Sequence, residues 1–98
     1  MAKTRPFDSA EYLDSPEAIA AYLSEAFETN DPAFITEAIG TIARARGMTA
    51  VAKDAGLSRE HLYRALSSEG KPEFGTVLKV LGSLGIHLHA EPKVAEVA

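Results

Sequence analysis

The sequence predicts an all-α domain of five helices, with a helix-turn-helix over residues 48–66 and a short C-terminal strand. Three observations carry that prediction. Apolar residues recur at three- and four-residue steps in two long segments. Each of those segments opens on a capping residue followed by proline. Glycines at 47, 56, 70 and 85 then mark the breaks between successive apolar stretches.

Size and composition fit one domain. The chain has 98 residues, 46% of them apolar and 24% charged, which is ordinary for a globular protein and too apolar for a disordered one. We divide it into an N-terminal arm (1–14), the helical domain (15–90) and a short mixed tail (91–98). A chain this small leaves much apolar surface exposed, so pairing with a second copy adds stability. Cysteine is absent, which excludes disulfides, thiol nucleophiles and thiolate-bound metal and suits a reducing cytoplasm. Asp8, Glu11 and Asp14 interrupt any secretory signal, and no run reaches the roughly 18 apolar residues of a membrane span. The expectation is a cytoplasmic protein that does not enter the membrane.

Taken in order, the first helix starts at Ser15-Pro16-Glu17 and carries Ala18, Ile19, Tyr22, Leu23, Ala26 and Phe27 on one stripe. The second starts at Asp31-Pro32 with Phe34, Ile35, Ala38, Ile39, Ile42 and Ala43, and Gly47 stops it. Arg44 and Arg46 lie in its last turn, where positive charge favours the helix dipole. Two short helices follow, separated by Gly56-Leu57, and Gly70-Lys71-Pro72 breaks the chain again. A fifth helix runs through Val77, Leu78, Val80, Leu81 and Leu84 to Gly85. Ile86-His87-Leu88-His89-Ala90 alternates with period two, which predicts one strand. Such a strand needs a partner, either the N-terminal arm or its counterpart in a second subunit.

The helix-turn-helix is the most informative stretch. Ala52 is small where two steeply crossing helices must touch, and Gly56 permits the positive φ of a tight turn. Leu57 fills the angle from within, and Ser58 caps the second helix. Val51, Ala55, Leu62, Ala65 and Leu66 complete the buried set. Ser58, Arg59, Glu60, Tyr63, Arg64 and Ser67 are left facing outward. Arg59 suits a guanine edge, a bidentate contact worth about 1–3 kcal/mol of discrimination. Arg64 and Lys71 suit phosphates, with Tyr63 and Ser67 as further hydrogen-bond donors. Glu60 either accepts from a cytosine amino group or serves the helix N-terminus as a favourable acid, the commoner role.

Net charge is −4, but it is unevenly spread. Residues 1–31 carry seven acids against two bases, whereas residues 32–72 carry six bases against four acids. An acidic front and a mildly basic middle point to two surfaces with different partners.

The run Gly47-Met48-Thr49, Ala52, Gly56-Leu57-Ser58-Arg59-Glu60, Leu62 to Ser67, Glu69-Gly70-Lys71-Pro72-Glu73-Phe74, Leu78-Lys79-Val80-Leu81 and Leu84-Gly85-Ile86 resembles the addiction-module antidote proteins. These are distant relatives of the HigA-like and Cro/repressor helix-turn-helix antitoxins. Phe7-Asp8 and Tyr12-Leu13 are similar too, and the resemblance covers roughly residues 6–90. It implies a lambda-repressor-like domain and an antitoxin that binds a small basic toxin of the RelE/ParE class. It also implies repression of the pair's own promoter, with the recognition helix at 58–66 and Arg59, Tyr63 and Arg64 as contacts to double-stranded operator DNA. Lys71 departs from the family's frequent asparagine. A homodimer would present two recognition helices to successive major grooves about 34 Å apart. The acidic front adds a hypothesis of its own: Glu17, Glu25 and Glu28 of the first helix form the toxin-binding surface.

No enzymatic chemistry is expected. Paired carboxylates lack an apolar pocket context, and no glycine-rich phosphate loop exists. His87 and His89 have a ligand-like spacing without an identifiable third ligand, so neither a metal site nor a cofactor is expected. Gly40 and Gly82 lie within helical patterns, where they mark either close helix contacts or simple tolerance. Two alternative functions stay open: a stand-alone, prophage-type transcriptional repressor without a toxin, and a protein-binding module whose helix-turn-helix is vestigial.

Overall fold

The computed structural model describes residues 13–93. Most of the N-terminal arm, including Phe7, Asp8 and Tyr12, lies outside the described residues, as does the end of the tail. Five helices follow one another: α1 (Pro16–Glu28), α2 (Pro32–Arg46), α3 (Met48–Ala55), α4 (Arg59–Ala65) and α5 (Phe74–Ser83).

The caps sit where the sequence put them. Ser15 Oγ accepts from the Ala18 amide at 3.1 Å, ahead of Pro16. Asp31 Oδ1 accepts from the amides of Ala33 and Phe34 at 3.0 and 3.4 Å, ahead of Pro32. Each satisfies amides that a helix leaves without internal partners. Between these helices Thr29 knits the turn. Its hydroxyl donates to the Ala26 carbonyl and accepts from the Asp31 amide, while Asn30 takes a left-handed φ of 53°.

Helix α3 is the hub of the packing, touching α2, α4 and α5, while α1 packs on α2. Ile19, Leu23, Ile39, Ile42, Val51, Leu62, Val80, Leu81 and Leu84 are essentially sealed from solvent and come from all five elements or their caps. Each such side chain contributes about 1.5–3 kcal/mol by leaving water. The predicted stripes hold with two exceptions: Phe34 and Leu78 are 47% and 44% exposed. Gly40 is a close contact. A Cβ there would stand 3.2 Å from the carbonyl oxygen of Leu66, so α2 and the end of α4 approach so closely that a side chain would require its neighbours to give by a few tenths of an ångström. Gly82 has nothing within 4 Å of that position and is merely tolerated.

The predicted strand at 86–90 is not formed; among the described residues every regular element is helical. The reason lies at the end of α5. Gly85 takes φ 80°, its amide bonds to the Gly82 carbonyl, and the Ile86 amide bonds back to the Leu81 carbonyl at 2.9 Å. This is a Schellman cap, and it uses the first amide that a strand ladder would have needed. Ile86 then packs against the core as the cap's apolar contact, so its period-two alternation with Leu88 reflects capping rather than pairing.

Candidate nucleic-acid interface

The corner between α3 and α4 repeats the same device. Gly56 adopts φ 74° and ψ 32°, its amide reaches the Lys53 carbonyl, and the Leu57 amide reaches the Ala52 carbonyl at 2.9 Å. Leu57 is half-buried against the core, the apolar partner that this cap requires. Ala52 is buried at the crossing. Ser58 then opens α4, its Oγ accepting from the His61 amide at 3.0 Å.

With this corner set, α4 buries Leu62 and Ala65 and turns its remaining side chains outward. At about 100° per residue, Arg59, Tyr63, Glu60 and Arg64 fall within an arc of about 140° opposite Leu62. All seven sequence-predicted positions, Ser58, Arg59, Glu60, Tyr63, Arg64, Ser67 and Lys71, are exposed. The Arg59 guanidinium lies over the Tyr63 ring at 5.7 Å from its centroid. A stacked guanidinium keeps its N–H edges free while losing rotational freedom, so Arg59 is held ready for planar, bidentate recognition.

Ser67 plays a different part from that of the donor expected. The Ser67 hydroxyl donates to the Arg64 carbonyl at 2.9 Å, which commits its one proton to the end of α4. Its oxygen can still accept. Lys71 joins Arg64 in a hollow of about 360 Å³ also lined by His61, Glu69 and Glu73. His61 is the residue that sequence reasoning passed over. It lines the same hollow as Arg64 and Lys71, together with the carboxylates of Glu69 and Glu73. Its signal was the i,i+3 spacing to Arg64 on one helix flank.

Gly70 explains how Lys71 is placed. A Cβ on Gly70 would collide with the backbone carbonyls of Ala65 and Arg64, so the chain passes directly against the end of α4. Only glycine fits so close an approach, and the next residue is thereby delivered to the α4 face.

Elsewhere, Glu17, Glu25 and Glu28 are exposed on α1, away from its buried Ile19, Leu23 and Ala26. His87 and His89 are exposed. Among the described residues no helix is long and apolar enough to cross a membrane, and no three metal-ligating side chains gather.

Comparison with known proteins bears on what these surfaces serve. Residues 3–92 match the family described as "Probable addiction module antidote protein". A protein of Haemophilus influenzae, described as uncharacterized, is 46% identical over 87 residues, covering 89% of this chain and 90% of its own. No solved structure matches.

Proposed function

The chain belongs to the family of probable addiction module antidote proteins, and on that premise we propose that it is the antitoxin of a type II toxin–antitoxin module. It binds and holds inactive a small basic toxin of the RelE/ParE class. As a homodimer it also represses the promoter of the pair, placing α3 and α4 on operator DNA as a lambda-repressor-like helix-turn-helix. It acts by binding in the cytoplasm and catalyses no reaction.

One observation carries the DNA-binding half: the capped corner at Gly56 leaves Arg59, Tyr63 and Arg64 exposed on one arc of α4 while Leu62 anchors the helix. Arg59 reads a base edge, steadied by Tyr63. Arg64 and Lys71, with His61 beside them, hold phosphate oxygens. Ser58 acts through the capping of α4, and Glu60 favours that helix's N-terminus.

Dimerisation supports the reading energetically. Lys53, Arg59, Arg64 and Lys71 on the α3–α4 side stand against Asp54, Glu60, Glu69 and Glu73, so one copy presents no net positive charge there. Two copies double the phosphate contacts and so recover affinity. With the 86–90 strand absent, the outer face of α5, on which Leu78 is exposed, is the surface through which two copies pair.

The same weak balance favours the protein-binding module as the second reading. Co-expression with the product of the adjacent reading frame, followed by copurification and growth rescue, tests the toxin half. Gel shifts on the chain's own upstream DNA at two salt concentrations test the other. Tight, salt-indifferent binding of the basic partner with no DNA shift selects the module instead.

A further inference from the structure

Residues 69–72 line a second hollow besides the one that holds Arg64, and it is of different character. It measures about 790 Å³, and its walls are mainly apolar: Phe27 at the end of α1, Pro32 and Ile35 at the start of α2, then Pro72, Phe74 and Val77. Phe27, Ile35 and Val77 are half-buried against the core from outside, and Phe74 on the lip is 67% exposed. Apolar surface gathered in this way from three elements is the usual setting of a binding groove rather than of scattered exposure.

The charges around it select the occupant. Asp31 and Glu69 stand in the wall, and Glu28, Glu37 and Glu73 adjoin wall residues in the chain, all five exposed. Lys71 is the one cation among these positions. Asp31 stands at the rim, where its Oδ1 caps α2. A second copy of this chain would bring the same acids to face these. A basic partner meets them favourably.

We propose that this groove is the docking site of a basic protein partner. An amphipathic segment fills the hollow between Phe27, Ile35, Phe74 and Val77 with bulky apolar side chains, and its flanking lysines and arginines meet the carboxylates. Identifying that partner with the toxin rests on the antitoxin reading; the chemistry of the groove does not. The contact surface thus centres on the junction of α1, α2 and α5 and takes in Glu28, leaving Glu17 and Glu25 peripheral.

The test uses the intact chain and two synthetic helical peptides sharing one leucine stripe, one with lysines on the opposite face and one with glutamates. The lysine peptide is expected to shift the amide resonances of residues 27–36 and 69–77. Its affinity falls about tenfold in Phe74→Ala, whose side chain is too exposed to be needed for folding, and again in Glu69→Lys. The glutamate peptide is expected to leave the spectrum unchanged. Shifts confined to Glu17, Glu25 or α4, or equal binding of both peptides, overturn the proposal. So do groove resonances that move with protein concentration before peptide is added, since a second copy then fills the site.

A parallel arm measures the complex with the basic protein encoded beside the chain. If that complex forms and both variants leave its affinity unchanged, the groove assignment fails and the antitoxin reading stands. If the lysine peptide maps to the groove and no such complex forms, the antitoxin reading fails and the groove assignment stands.

Discussion

Replacing Gly56 by alanine tests the corner on which the α4 surface depends. The backbone there is left-handed, at φ 74° and ψ 32°, and a Cβ would meet nothing within 4 Å. The penalty is therefore one of backbone conformation alone, about 1–2 kcal/mol for an L side chain. Alanine also restricts the unfolded chain, which offsets about 0.4–1 kcal/mol of that loss. The net expectation is destabilisation by about 1 kcal/mol, or a fall in melting temperature of about 4–8 °C for a chain of this size. Gly82→Ala is the matched control, because the same atom is added in equally open space within α5. There the backbone is helical and alanine stabilises by about 0.5–1 kcal/mol. Identical chemistry thus gives opposite signs, readable by far-ultraviolet circular dichroism on heating. Gly56→Asn is expected between wild type and Gly56→Ala, since asparagine tolerates this region better. A Gly56→Ala protein that melts at or above the wild-type temperature would falsify the account of the corner.

Four further outcomes are expected. Leu62→Ala, at a position with no exposure, lowers unfolding free energy by about 2–5 kcal/mol, measured as a lower urea midpoint. Ser58→Ala removes the acceptor for the His61 amide and loses about 0.5–2 kcal/mol in the same titration. Gly70→Ala lowers the melting temperature further than Gly56→Ala does, because its Cβ meets two backbone carbonyls rather than open space; equal melting of the two variants contradicts that ranking. In gel shifts, Arg59→Ala reduces discrimination between operator and scrambled DNA by about 1–3 kcal/mol, whereas Arg64→Ala weakens both duplexes alike and lowers the salt slope by about one. Unchanged affinity in both variants removes α4 from the interface.

What the sequence made legible was local. Ser15-Pro16, Asp31-Pro32 and Ser58 act on amides two or three residues away, and Gly56 acts on its own φ, so short-range rules suffice for them. The exposure of Arg59, Tyr63 and Arg64 followed from the burial of Leu62 within one helical period. What stayed hidden depended on residues far apart in the chain. Gly70 has no left-handed φ to betray it; its necessity comes from carbonyls of the preceding helix end. The apolar groove joins Phe27 to Phe74 across more than 40 positions of sequence, and no periodicity announces such a meeting. The strand expected at 86–90 failed for a related reason. Its alternation was genuine, but alternation says nothing about whether the Ile86 amide is already bonded to Leu81.

The four-residue stretch from Glu69 to Pro72 forms a wall common to the Arg64 hollow and the apolar groove. Pressed against the end of α4 at Gly70, this partition has no room to yield toward that helix. A charged guest on one side would alter the field felt by a guest on the other, through Glu69 and Lys71, which line both chambers. Thermodynamic reciprocity then fixes the bargain: by whatever factor the first occupant changes the second's grip, the second changes the first's.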